Sequence, residues 1–185
     1  MAPNSRRCVE RAVVSARDGY RAYYVDPDSR LVFERSPDRI DWCGPPTLVR
    51  LDDLQWQAGT PWIFRPAAGG FRMIYATRSE GACRLRLAES ADGEVFRAIG
   101  SMPLLPDASE DVDLDTGQID QRQPSGVRHR DGTVQLYFLA GRTTLASARP
   151  PDDGLSWTRG VTGPMPGETV PGARGFMSVL SAILG

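Results

Sequence analysis

Three stretches of this chain repeat one pattern, and the pattern leaves little room for anything but antiparallel sheet. Residues 71–96, FRMIYATRSEGACRLRLAESADGEVF, read as an alternating apolar strand, a Gly-containing turn, a second alternating strand, and then Ser90-x-Asp92-Gly93 followed by an aromatic. Residues 20–42, YRAYYVDPDSRLVFERSPDRIDW, and 133–157, TVQLYFLAGRTTLASARPPDDGLSW, repeat it. The turn aspartates Asp38, Asp92 and Asp153 stand 54 and 61 residues apart, a period that suits one four-stranded sheet per repeat. Side chains alternate across a strand, so each repeat turns an apolar face inward.

The order of strands follows from the turn residues. In the first unit, residues 8–16 lead through Asp18-Gly19 into 20–25, and Asp-Gly between two apolar runs is a hairpin signal. Asp26-Pro27-Asp28-Ser29 and Ser36-Pro37-Asp38 mark the next two turns, and Pro45-Pro46 forces an extended edge or a break, with 47–51 as a candidate outer strand. The second unit has strands at 62–65, 71–77, 83–90 and 95–99, and the third at 119–130, 133–140, 143–148 and 157–161. Repeats at about 8–51, 60–105 and 118–162 thus make one all-β domain over 1–185, with a tail from 163 to 185. The apolar spacing of Phe176, Met177, Val179, Leu180, Ile183 and Leu184 predicts a short C-terminal amphipathic helix. An antiparallel meander of three such units closes either as a partial β-propeller or as a barrel of roughly ten strands. Both place a cavity at the centre.

Composition narrows the class of function more than its identity. The 22 basic and 23 acidic residues nearly balance, so no electrostatic footprint points to nucleic acid. Every basic residue is arginine, a bias that discounts the weight of any single one. Cys8, Cys43 and Cys83 are odd in number and lack CxxC spacing, which predicts neither a disulfide framework nor a zinc site. The N-terminal stretch has no apolar run typical of a secretory signal, and no stretch approaches a membrane span. The expectation is a cytoplasmic protein that takes a small-molecule substrate, binds neither nucleic acid nor membrane, and needs no cofactor and no metal.

The motifs SPDRIDW, SADGEVF and PPDDGLSW, each following a Tyr- or Leu-rich hairpin, resemble the blades of the five-bladed β-propeller glycosidases, the arabinanase, levansucrase and invertase group. The resemblance runs over residues 8–161. It implies that the Ser-x-Asp turn is architectural, its carboxylate accepting backbone N–H bonds while the following aromatic packs between sheets. Two departures accompany it. Three units are fewer than five blades, which leaves a self-closed barrel or a ring completed by a second subunit as a homodimer. The resemblance also implies Asp-Pro in early inner strands and a Glu one or two residues before a Pro in a later one, as nucleophile or base and as general acid. Here Arg65 precedes Pro66, and Arg122 and Gln123 precede Pro124.

Polar residues that interrupt the apolar inner strands are the candidates for a cavity lining. Asp120, Glu89 and Tyr75 are the catalytic candidates: a carboxyl two residues from Arg122 on one strand face, a carboxyl beside the turn serine, and one of the recurring tyrosines Tyr23, Tyr24, Tyr75 and Tyr137. Arg65, Arg122, Glu10 and His129, the only histidine, are the substrate-binding candidates. Asp111-x-Asp113-x-Asp115-x-Gly117 has the spacing of a calcium loop but carries Thr116 where that loop needs Gly, so a solvated acidic face is favoured. General acid–base chemistry in such a cavity suits an acetal-forming substrate, and a cyclase of a polyketide pathway making a pyran or spiroacetal is the leading expectation. A degenerate glycoside hydrolase or a non-catalytic carbohydrate-binding module is the alternative.

Overall fold

The computed structural model describes residues 11–52, 59–129, 131–151 and 154–164. Within them the chain forms three stacked antiparallel sheets. The first contains β1 (Ala12–Ala16), β2 (Gly19–Val25), β3 (Leu31–Ser36) and β4 (Cys43–Leu48) in chain order. A short β5 (Arg50–Leu51) then leaves it and pairs in parallel with β9 of the second sheet, Arg50 against Val95 and Leu51 against Phe96. That second sheet runs β6 (Trp62–Phe64), β7 (Phe71–Ser79), β8 (Ala82–Ser90) and β9 (Val95–Ala98), with β5 on its outer edge. A 3₁₀ turn at Ser109–Asp111 and a small hairpin of β10 (Val112–Asp113) and β11 (Gln118–Ile119) interrupt the acidic connection. The third sheet is β12 (Gln121–Arg128), β13 (Val134–Ala140), β14 (Thr144–Arg149) and β15 (Thr158–Pro164).

Among the described residues the sheets stay separate rather than merging into a barrel, the arrangement expected of a partial propeller. The expected C-terminal helix lies outside the described residues. Pro45 and Pro46 sit within the edge strand β4 at a register shift against β3, where they have no ladder partner and their missing N–H groups cost no ladder bond. The β7–β8 hairpin is longer than its sequence pattern predicts. Glu80 and Gly81 both take positive φ (50° and 84°), the two-residue turn whose twist matches the strands, and this extends pairing to Ser79 and Ala82.

Stacking follows from alternation in β7. Phe71, Met73 and Tyr75 pack toward the first sheet with Tyr23, Phe33 and Phe96, while Ile74 and Ala76 pack toward the third with Leu136, Phe138 and Ala146. The middle sheet therefore has two buried faces. The outer sheets contribute one face each to these clusters, and β13 shows the split: Leu136, Phe138 and Ala140 join the larger core, whereas Leu139 lies with Tyr137 and Leu145 on the other side.

The repeated Ser-x-Asp turn is built the same way twice. Asp92 Oδ1 accepts from the N–H groups of Glu94 (2.8 Å) and Val95 (3.1 Å), and Ser90 Oγ accepts from the N–H of Gly93 (2.8 Å). In the first sheet Asp38 Oδ1 accepts from Ile40 (2.8 Å) and Asp41 (2.9 Å), and Ser36 Oγ from Arg39 (2.9 Å), which adopts the left-handed φ of 73° that Gly93 adopts in the second. The second turn also ties sheets together. Tyr23 Oη donates to the Gly93 carbonyl at 2.8 Å, and Arg21 donates to the Asp92 carbonyl. A Cβ on Gly93 would stand 2.5 Å from Tyr23 Oη, so only glycine fits this contact. Burial pushes the Tyr23 phenol up to about 12, which keeps the donor proton in place at ordinary pH.

Two substitutions separate packing from latching. Phe96→Ala, at a fully buried position, is expected to cost about 3–5 kcal/mol. Tyr23→Phe keeps the ring and removes one buried hydrogen bond, for about 1 kcal/mol. Urea unfolding of the two variants checks both, and an equal loss would show that the hydroxyl carries the contact.

Candidate functional site

The starting ends of β1 and β6 and the middle of β12, the inner strands of the three sheets, surround a cavity of about 160 Å³. Its lining comes from Arg11, Ala12 and Val13, from Thr60, Pro61, Trp62 and Ile63, and from Gln123, Pro124, Ser125 and Gly126. Each sheet thus gives one short segment. Trp62 is the only aromatic among them, half-buried, stacked on Phe64 at 4.6 Å and edge-on to Trp157 at 6.2 Å. Its indole crosses β12 at Gly126, where an added Cβ would come within 2.2 Å of the ring, so the glycine is what lets the indole lie there.

Gln123 is the backbone outlier at this site. Its φ is 51° although it is not glycine and it precedes proline, and the register of β12 against β13 shifts between Arg122 and Ser125. A bulge of this kind bends an inner strand and re-aims its side chains, and non-glycine strain of this sort collects at binding and catalytic positions. Gln123 is exposed, so its amide is accessible from the cavity mouth. Arg11 is the one cation among the lining residues, and it is matched. Its guanidinium lies 3.2 Å from Glu34 and 4.8 Å from the centre of the Tyr24 ring, while Tyr24 Oη donates to Glu34 at 2.7 Å. Burial and then the Glu34 hydrogen bond push the Tyr24 phenol up to about 12. No Asp or Glu occurs among the described lining residues.

The residues expected to form a site are dispersed. Tyr75 is fully buried in the core between the first two sheets. Glu89 is exposed on β8 opposite Arg72 and Arg97. His129 is exposed in the β12–β13 turn, where its backbone N–H donates to the Thr133 carbonyl at 2.8 Å. Arg65 lies at the end of β6 with its guanidinium 5.6 Å from the Phe71 ring centre, and Glu10 is outside the described residues. Asp120 and Arg122 do meet, at 3.2 Å, but beside Cys83 and the β10–β11 hairpin rather than at the axial cavity. None of the described six lines that cavity.

The acidic connection is structural where it is buried. Asp111, fully buried, accepts from Gln121 (2.7 Å), the Ala108 N–H (3.0 Å) and Arg159 (2.5 Å), which fastens the connection to the third sheet. Arg142 lies 3.3 Å from Asp113 and also pairs with Asp115. A cation is thus already supplied by the protein, and among the described residues no three His, Cys, Asp or Glu side chains group as metal ligands. No helix among the described residues is long and apolar enough to cross a membrane.

The residues that sequence reasoning missed left faint signals. An isolated Gly126 within a strand marks a close approach, and Gln123-Pro124 occupies the position at which the resemblance implies an acid. Trp62 and Thr60 gave no sign beyond lying at a strand start.

Carboxylates away from the cavity make opposite contributions to acid stability. Backbone N–H groups, those of Glu94 first for Asp92 and of Asp41 first for Asp38, hold these turn carboxyls below their ordinary values. They bind fewer protons folded than unfolded, so their stabilisation is present above the unfolded pKa and is lost as pH falls. Burial raises Asp120 above the ordinary carboxylate value against the opposing pull of Arg122. It binds more protons folded than unfolded across that window, so its contribution declines as pH rises through it. Asp92→Asn is therefore expected to lower the urea midpoint near neutral pH and to flatten the loss toward about pH 4. Asp120→Asn should leave the neutral midpoint unchanged or higher and erase that difference in acid.

No family model matches the chain, and no curated protein matches it. Solved structures do. A thermostable family-43 glycoside hydrolase matches with a TM-score of 0.63 at 16% identity, over 88% of this chain and 56% of the hydrolase. An endo-arabinase from Bacteroides thetaiotaomicron matches at TM-score 0.62 and 13% identity, over 87% and 56%. A family-32 β-fructofuranosidase from Bombyx mori matches at TM-score 0.59 and 16% identity, over 80% and 33%. The chain resembles the β-propeller glycoside hydrolases in fold and spans about half or less of their length.

Proposed function

We propose that this chain is a non-catalytic carbohydrate-binding module on a glycosidase-like propeller scaffold, in chemical terms a degenerate glycoside hydrolase. The observation that carries the proposal is the axial cavity. It combines the indole of Trp62 with the amide of Gln123 and the hydroxyl residues Thr60 and Ser125, and none of its described lining residues is a carboxylate. An indole takes the apolar face of a sugar ring, and a few polar groups fix its orientation. Because Glu34 already neutralises Arg11, the lining favours an uncharged ligand. At about 160 Å³ the space is below the roughly 300 Å³ from which drug-sized pockets begin, so a single terminal sugar fits rather than an oligosaccharide.

Hydrolysis of a glycoside needs two carboxyls flanking the bond. Gln123 offers an amide where the resemblance implies an acid; it can hydrogen-bond a sugar hydroxyl but is far too weak an acid to protonate a leaving group. Acetal cyclisation lacks comparable support, because none of the described cavities brings Asp120, Glu89 and Tyr75 together.

The names of the structural neighbours supply the ligand panel: arabino-oligosaccharides and fructosides. The expected outcome is saturable binding of at least one, seen as a change in tryptophan fluorescence and confirmed by calorimetry, without release of reducing sugar. Gln123→Ala, at an exposed position, and Trp62→Ala should each weaken binding at least tenfold. Sustained turnover would refute the non-catalytic role, and absence of binding across the panel would refute the module.

A further inference from the structure

The opposite ends of β1 and β6 carry a second cavity, of about 370 Å³, between the first and second sheets, and its chemistry is different. It lies among the β1–β2 turn, the β6–β7 loop and the β8–β9 turn, and three of its lining residues are Arg17, Arg21 and Arg65. Gly69 and Gly70, both left-handed at φ 92° and 71°, form part of its wall without side chains to fill it. Its two carboxylates are engaged elsewhere. Asp18 lies 3.8 Å from Arg35, and Asp92 is held by the N–H groups of its own turn.

Arg21 is the decisive group. It is only 8% exposed, it lies between the Phe33 and Phe71 rings at 4.9 and 5.3 Å, and one of its terminal nitrogens donates to the Asp92 carbonyl. Its Nε is buried with no hydrogen-bond partner. Among the described residues neither Arg21, Arg17 nor Arg65 is within ion-pair distance of a carboxylate. A buried guanidinium on a cavity wall, with one donor unused and no counter-charge, is costly unless an anion nearby offsets it. Rings on both sides offset part of that cost, but they leave the in-plane N–H unused.

We infer that this cavity binds an oxyanion, the phosphate or carboxylate group of a small molecule, between Arg17, Arg21 and Arg65. The planar guanidinium fork matches two oxygens of such a group, and the open glycine wall leaves room for the body that bears it. The site stands at the far end of the strands from the axial cavity and does not rest on the sugar-binding proposal.

Calorimetric titration of the full chain at constant ionic strength tests it, with inorganic phosphate and glucuronate as probes and glucose as the uncharged control. Saturable one-to-one binding of phosphate, glucuronate or both is expected, and the pattern distinguishes a phosphate ligand from a carboxylate one. Arg17→Ala, at an exposed position that does not endanger folding, and Arg65→Ala should each weaken it at least tenfold. Arg30→Ala removes one positive charge at an exposed site paired with Asp26 and Asp28, and should leave it unchanged. No saturable binding, binding that survives both cavity substitutions, or an equal loss in Arg30→Ala overturns the assignment, whatever glucose does at the other end.

Discussion

Burial of the middle sheet on both faces is the constraint on which the remaining structure depends. A sheet covered on one side reads as alternating apolar and polar residues, but β7 is buried from Phe71 to Thr77 without interruption. Its odd and even residues feed two separate cores, so the first and third sheets are positioned by the same nine residues. Arg72 and Thr77 are the polar exceptions, and both sit near the ends of this buried run. Polar chemistry is thereby displaced to the strand ends. Both cavities lie there, and the candidate Tyr75, in the middle of β7, lies in the core instead.

The Ser-x-Asp turn works on two scales. Within the hairpin its carboxylate and hydroxyl satisfy backbone N–H groups that the sharp turn leaves without ladder partners. Between sheets, the second copy turns its own carbonyls outward, and Tyr23 and Arg21 of the first sheet take them. The first copy has the local half of this device alone among the described contacts, with Arg39 in the position of Gly93. An arginine there fits a turn that no neighbouring side chain must approach closely. A glycine is needed only where Tyr23 and Arg21 arrive.

Much of this fold was legible in the sequence because its signals are local. Period-two alternation, the Asp-Gly and Ser-x-Asp turns, and the spacing of Asp38 and Asp92 each reflect bonds made within a few residues. The parallel pairing of β5 with β9 was not legible, since Arg50-Leu51 reads equally well as the end of the first sheet. The site was less legible still. Which face of an inner strand a polar residue occupies depends on the register of pairing, and one residue of slip reverses it. The bulge at Gln123 introduces such a slip, after which positions counted along β12 no longer report their orientation. Asp120 and Arg122 meet because residues two apart in an extended segment lie on one side, which needs no register.

The two ends of the inner strands also explain why a balanced chain need not be uniform. The total charge is close to neutral, yet at the starting ends Glu34 neutralises Arg11, while at the turn ends three arginines gather and their neighbouring carboxylates bond to other groups. Asp92 is the hinge of this asymmetry. By spending its oxygens on the Glu94 and Val95 N–H groups it closes the turn, and by offering its carbonyl rather than its carboxylate to Arg21 it leaves that cation without a counter-charge. The residue that most clearly marks the repeat in the sequence therefore also sets the electrostatics of the second cavity, a consequence that appears only when neighbouring sheets are brought together.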